Sequence, residues 1–205
     1  MAELTDFWES FRVKFKGAPE HVQTYVIYFE DLDSSLDTAN LDYHKARGLS
    51  RSITIRILAG ILGRDPNGLT LPGVPPYDVG GCRFSLSRTT QAMALIVSTE
   101  GHRVGADIEQ IQTLEQAEQL IKVFHPADQA RLVSARLRRP KVRAITQAWT
   151  HKEALLKGLE VGLVRDPALD EVGPVKRPLT PKGWSLVRIR LPKKRGHVAS
   201  VAWEN

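Results

Sequence analysis

The hydrophobic pattern changes period several times along the chain. HVQTYVIYFED, His21 to Asp31, is dense in Val, Tyr, Ile and Phe and predicts a β-strand. The acidic run EDLDSSLDTANLD behind it predicts a loop or a frayed helix start. In LSRSITIRILAGILG, Ile53, Ile57, Leu58, Ile61 and Leu62 recur at helical spacing, with Gly63 and Pro66 as stop signals. DPNGLTLPGVPPYDVGG is a turn-rich connector. CRFSLS, MALIVST and RVGADIEQI predict three strands. TLEQAEQLIKVF, PADQARLVSARL and KVRAITQAWTHKEALLKGL predict helices, and a Pro/Gly-rich segment follows over residues 166–183. WSLVRIRL and HVASVAWEN predict two closing strands. The order is strand, helix, strands, then strand, helices, strands. It predicts an α+β protein of two similar units, residues 1–102 and 103–205, without an internal sequence repeat.

Composition keeps this picture globular. Hydrophobic residues make up 42% and charged residues 25%, so disorder is not expected. The net charge of +6 admits an acidic partner, whether nucleic acid, anionic membrane or protein, and equally a solvated basic surface. Basic clusters occur only in RLRRPKVR and LPKKRG, outside any recognised nucleic-acid module, and aromatic residues are 7%. No run nears the roughly 20 apolar residues of a membrane helix. Neither nucleic acid nor membrane is therefore expected as a partner. Cys82 is the only cysteine, which rules out an internal disulfide and suits a reducing compartment. The start, MAELTDFWESFRVKFKG, lacks the apolar core of a signal peptide, so a cytoplasmic protein is expected.

The candidate chemistry begins with RVGADIEQI. Side chains alternate along a strand, so Asp107 and Glu109 share a face, about 7 Å apart, with Val104, Ala106 and Ile108 opposite. Two like charges on a half-buried face repel and resist desolvation, and a divalent cation relieves both costs. Mg²⁺ suits such oxygen ligands. For the pair alone, a wet sheet face is the commoner explanation. In AWTHKEALLKGLEVGL, Trp149, Glu153 and Lys157 are spaced i, i+4, i+8 and form one stripe. That stripe is either an exposed Glu–Lys pair or, with the indole beside it, part of a phosphate site. Ser87, Arg88 and Thr89 end the FSLS strand, where hydroxyls and a guanidinium can hold phosphate oxygens. Arg51 and Arg56 lie on the first long helix, with Lys45 and Arg47 upstream; five residues apart, the two arginines do not quite share a face.

Together and in this order the segments resemble the 4′-phosphopantetheinyl transferase superfamily, of the surfactin-synthetase-activating type. VGADIE is similar to its Gly-x-Asp-x-Glu strand, and WTHKEALLKGLEVGL to its Trp-x-x-Lys-Glu-Ala-x-x-Lys helix and Gly-x-Gly-Leu-like ending. FSLSRTTQAMALIV and SRSITIRILAGILGRDP resemble two further family segments, so the likeness spans roughly residues 43 to 203. The resemblance implies two α+β subdomains in a pseudo-twofold arrangement, with the active site in the cleft between them. It implies transfer of the phosphopantetheine arm of coenzyme A to a serine of an apo acyl or peptidyl carrier protein, with release of adenosine 3′,5′-bisphosphate. Asp107, Glu109 and Glu153 would hold Mg²⁺. Asp107, Glu153 and Lys157 would be catalytic, with Glu153 the base for the serine and Lys157 on the pyrophosphate. Arg51, Arg56, Ser87, Arg88 and Lys157 would bind coenzyme A. RLRRPKVR would steer the acidic helix of the carrier protein, and one chain holding both subdomains implies a monomer. Three positions depart from the pattern. Arg88 replaces a His, Val74 replaces a Lys, and the segment before YHKARG is acidic, leaving Lys45 or Arg47 to meet the 3′-phosphate. Those departures motivate an alternative, a repurposed member that binds a carrier protein without transfer.

Overall fold

The computed structural model describes residues 7–38, 40–134, 138–161 and 165–205, with the backbone alone for 138–140. The chain divides into two units, Met1–Arg103 and Val104–Asn205. Both mix helix with antiparallel sheet, so the α+β class is the observed one. Within RLRRPKVR, Arg136 and the side chains of Arg138 and Arg139 lie outside the described residues, as do Gly162 and Leu163 of the glycine-containing ending.

The first unit is built on a five-stranded antiparallel sheet. Its strands are β1 (Arg12–Val13), β2 (Val22–Tyr28), β3 (Asp78–Val79), β4 (Cys82–Arg88) and β5 (Ala92–Ser98), in the order β1-β2-β5-β4-β3. The predicted strand at His21–Asp31 gives way at Phe29 to a single helical turn, α1 (Phe29–Leu32). Helix α2 (Tyr43–Leu62) begins six residues before the LSRS pattern. Asp42, part of the acidic run, caps it by accepting a hydrogen bond from the Lys45 amide at 2.8 Å. Gly63 ends it with φ +62°, a left-handed conformation that glycine adopts without steric cost. Ile53, Ile57 and Leu58 of α2 join Tyr25, Ile27, Phe84, Met93 and Leu95 in one core.

The second unit holds a three-stranded antiparallel sheet, β6 (Val104–Gln110), β7 (Trp184–Ile189) and β8 (His197–Glu204), in the order β6-β8-β7. Among the described residues of this unit, three α-helices precede β7. Helix α3 (Leu114–Ile121) starts from a reciprocal cap: the Gln116 amide donates to Thr113 Oγ1 at 3.2 Å, and the Thr113 amide to Gln116 Oε1 at 3.0 Å. It stops short of the predicted end, and Phe124 beyond it is fully buried. Helix α4 (Pro126–Val133) begins at a proline, whose missing N–H costs nothing at a first helical position. Helix α5 (Arg138–Gly158) is the spine of the unit. Val142, Ile145 and Ala148 pack on α3 and α4, while Ala154 and Leu155 pack on Trp184, Leu186 and Ala202 of the sheet. The Pro/Gly-rich connector is pinned by two buried ions. Asp128 accepts from the amides of Val172 (2.8 Å) and Gly173 (3.0 Å), and Lys152 donates to the carbonyls of Pro167 and Asp170. Hydrogen bonds to charged groups of this kind contribute roughly 1.5–3 kcal/mol each.

Candidate active site

Gly105, Asp107 and Glu109 alternate onto one face of β6, as period two requires. Helix α5 lies against that face closely enough to need the glycine. A Cβ at Gly105 would stand 1.9 Å from the Ala154 carbonyl oxygen and 2.5 Å from the Gly158 nitrogen. One at Gly158 would meet the Trp184 ring at 2.6 Å. Two missing side chains therefore let the last turns of α5 rest on the strand. On that helix Glu153 and Lys157 are one turn apart and point the same way. The Lys157 ammonium stands 2.7 Å from Asp107 Oδ1 and 3.9 Å from Glu153 Oε2. Asp107 is 2% exposed and Glu153 9%, so the open, solvated reading of both motifs fails.

The electrostatics follow from that crowding. Burial first, then repulsion from Asp107, raises the Glu109 carboxyl to about 7, with Lys157 opposing and Glu153 adding to the shift. Burial also raises the Glu153 carboxyl; Lys157 pulls it down and Asp107 pushes it up. For Lys157, burial acts to lower the pKa, but the charge and hydrogen bond of Asp107, with Glu153 and Glu109, outweigh it and raise it. The corner thus crowds three carboxyl groups around one ammonium.

A hard cation fits the donor set. Three carboxylates supply oxygen ligands of the kind Mg²⁺ takes, and Glu153 Oε1 is buried with no hydrogen-bond partner. The three do not stand in ligand-to-ligand contact, however. Among the described residues, the acid and imidazole groups with ligand atoms all within 4.8 Å of one another are those of His21, Glu100 and His102. Lys157 occupies the ground between Asp107 and Glu153 instead. Trp149 turns from this corner: it sits edge-on to Phe124, centroids 6.1 Å apart, in the apolar cluster of the helices.

In the first unit Arg51 and Arg88 line one cavity of about 260 Å³ together with Arg47, Tyr43, Tyr77 and Phe84. Arg51 donates to the Leu71 carbonyl at 3.2 Å, and Arg88 to the Tyr43 hydroxyl at 2.7 Å. The rings of Tyr77 and Phe84 stack 5.3 Å apart. Ser87 is not brought to this cavity. Phe84, Leu86 and Arg88 line it, so Ser87 projects from the opposite face of β4. Arg56 also stands apart, exposed on α2 and not among the lining residues, because five residues is well off a whole number of turns. Of the two upstream cations, Arg47 lines the cavity, whereas the Lys45 side chain is 73% exposed, its ammonium beside Asp42. Val74 is 74% exposed.

Several structural contributors escaped the sequence reading. Gly105 and Gly158 decide the approach of helix to strand, and a glycine inside a strand pattern was the signal for it. Tyr43 orients Arg88, including through its ring face, 4.9 Å from the guanidinium carbon. Lys152 falls within the Trp-x-x-Lys-Glu-Ala motif, but its bonds to the Pro167 and Asp170 carbonyls follow from the fold and not from the motif.

Residues 103–194 match the family model of the 4′-phosphopantetheinyl transferase superfamily. The matched stretch takes in β6, α3 to α5 and β7, hence Asp107, Glu109, Glu153 and Lys157 together. It supports this superfamily, a transferase class and phosphopantetheinyl transfer in general. No curated protein matches the chain. Among the described residues, no helix is long and apolar enough to cross a membrane.

Proposed function

We propose that this chain is a phosphopantetheinyl transferase of the surfactin-synthetase-activating type. It moves the 4′-phosphopantetheine arm of coenzyme A to a serine of an apo acyl or peptidyl carrier protein, with Mg²⁺, in the cytoplasm. The observation that carries the reading is the meeting of Asp107, Glu153 and Lys157 in one buried corner, inside the segment that matches the superfamily.

The serine hydroxyl oxygen bonds to the phosphorus next to the pantetheine arm. The bond from that phosphorus to the bridging oxygen of the diphosphate breaks, and adenosine 3′,5′-bisphosphate leaves. The hydroxyl proton goes to the Glu153 carboxylate, whose raised pKa brings it nearer the working pH of a general base. Lys157, kept charged by its carboxylate neighbours, offsets the charge that grows on the leaving phosphate. Asp107 holds the ammonium in place. Asp107, Glu109 and Glu153 would hold Mg²⁺, which would supply charge neutralisation for the diphosphate. Arg47, Arg51 and Arg88 suit the phosphorylated nucleotide end of coenzyme A, with Tyr77 and Phe84 offering apolar faces to its base. Arg88 is permanently charged, so the absence of the family's His at that position keeps a phosphate-binding group.

The test is incubation with coenzyme A, Mg²⁺ and a panel of apo carrier proteins, read by intact mass. A gain of one phosphopantetheine on a carrier serine is expected. No gain on any member, with coenzyme A bound or unbound, rejects the reading. Binding of holo carrier protein without coenzyme A binding would mark the repurposed alternative.

A further inference from the structure

His21, Glu100 and His102 belong to neither constellation above. His21 directly precedes β2, and Thr99 directly follows β5. These ends are tied where the strands pair: Val22 faces Ser98, and the Thr99 amide donates to the His21 carbonyl at 3.0 Å. Beyond Thr99 the chain bends at Gly101, φ +76°, a conformation only glycine takes freely. The His102 amide then donates back to Ser98 Oγ at 3.1 Å. This loop sets Glu100 and His102 over His21. His21 Nδ1 lies 3.2 Å from Glu100 Oε2. The two imidazoles stack with centroids 4.7 Å apart. One ligand atom from each of the three residues falls within 4.8 Å of the others.

We propose that His21, Glu100 and His102 form a binding site for a divalent transition-metal cation of the zinc class. Two donors held tetrahedrally at Zn–N and Zn–O distances of about 2.1 Å stand about 3.4 Å apart, close to the His21–Glu100 separation. Two imidazoles with one carboxylate are ligands for zinc-like ions rather than for Mg²⁺, which takes oxygen. Glu100 is 63% exposed, which leaves a path for the ion and room for water as the remaining ligand. The backbone contacts around Gly101 hold the donors in advance, and the ion would clip the start of β2 to the end of β5. None of the three residues has a part in the proposed phosphopantetheinyl transfer.

The experiment uses the full chain, stripped with chelator and titrated with Zn²⁺ by calorimetry and with Co²⁺ by visible absorption. One equivalent is expected to bind, undisplaced by millimolar Mg²⁺, and to raise the thermal unfolding midpoint. His102→Ala should weaken it by more than about 100-fold, beyond what loss of an outer-shell partner costs. Asp107→Asn/Glu153→Gln should leave it within about threefold, because neither residue is among the three proposed ligands. Retention of the full equivalent in His21→Ala/His102→Ala, or no binding by the unaltered chain, overturns the proposal. A circular dichroism spectrum unchanged by the substitutions keeps misfolding from imitating the result.

Discussion

Two charged regions of this protein are built on opposite principles. The β6–α5 corner of the second unit buries its ions under a helix that two glycines allow to approach. The arginine cavity of the first unit keeps its cations around an open space, held to a carbonyl and a tyrosine rather than to carboxylates. In the corner, the close approach of the α5 and β6 backbones at Gly105 fixes where the side chains start, so residue identity and spacing are tightly constrained. In the cavity, several cations share a task that long-range charge can perform from more than one position. The superfamily match covers the first kind of region and stops short of the second.

The sharpest way to break the contrast is a substitution that changes chemistry without changing packing. Glu153→Gln should lower the transfer rate about 10²- to 10⁴-fold, the usual contribution of a general base. Its thermal midpoint should stay near that of the parent protein. Transfer measured by mass spectrometry at more than a tenth of the parent rate removes Glu153 from the reaction.

Packing comes next. Gly105→Ala forces a Cβ to 1.9 Å from a backbone carbonyl oxygen, so it should cost about 3 kcal/mol of stability. Gly63→Ala, at a helix end with nothing within 4 Å, should cost only about 1 kcal/mol, the strain of its left-handed backbone. Equal shifts in the urea midpoint for the two variants contradict the account of the corner as backbone-limited.

Acid sensitivity gives a third comparison, within the second unit. Burial, then the charge of Arg188, holds His151 down at about 4. The unfolded chain takes up that proton near pH 6.5, while the fold refuses it. His151 stability is therefore full above about 6.5 and lost toward 4, by about 3 kcal/mol. Glu109 runs the other way. Its carboxyl, raised to about 7, keeps a proton that the unfolded chain releases from about 4.5 upward. That stability is full below the unfolded value and lost as pH rises through 7. The two slopes overlap and offset each other in the parent protein. Glu109→Gln should leave stability climbing from pH 4 to 6.5, and His151→Leu should leave it falling from 4.5 to 7. Chemical denaturation across this range checks both, and identical profiles for all three proteins defeat the assignment.

The smallest effects belong to the cavity. Arg51→Ala and Arg88→Ala should each raise the KM for coenzyme A about tenfold, near the lower end for a charge-assisted hydrogen bond, with kcat spared. Arg56→Ala should change it less than about twofold, as an exposed charge away from the cavity. A loss at Arg56 as large as at Arg88 would merge the two positions again.

Much was already written along the chain. Period and punctuation located the principal strands and helices, because those depend on neighbours a few residues away. The Asp107–Glu109 face and the Glu153–Lys157 turn followed from the same arithmetic. So did the separation of Ser87 from Arg88, which alternation along β4 implies and phosphate chemistry alone overlooked. Only tertiary structure decided that Lys157, rather than bare space, stands between Asp107 and Glu153, since that depends on how closely α5 descends on β6. It alone selected Arg47 over Lys45 for the cavity, and it alone joined His21 to Glu100 and His102. Those partners are distant in sequence, and their meeting is set by strand register and helix packing, which no local pattern of side chains encodes.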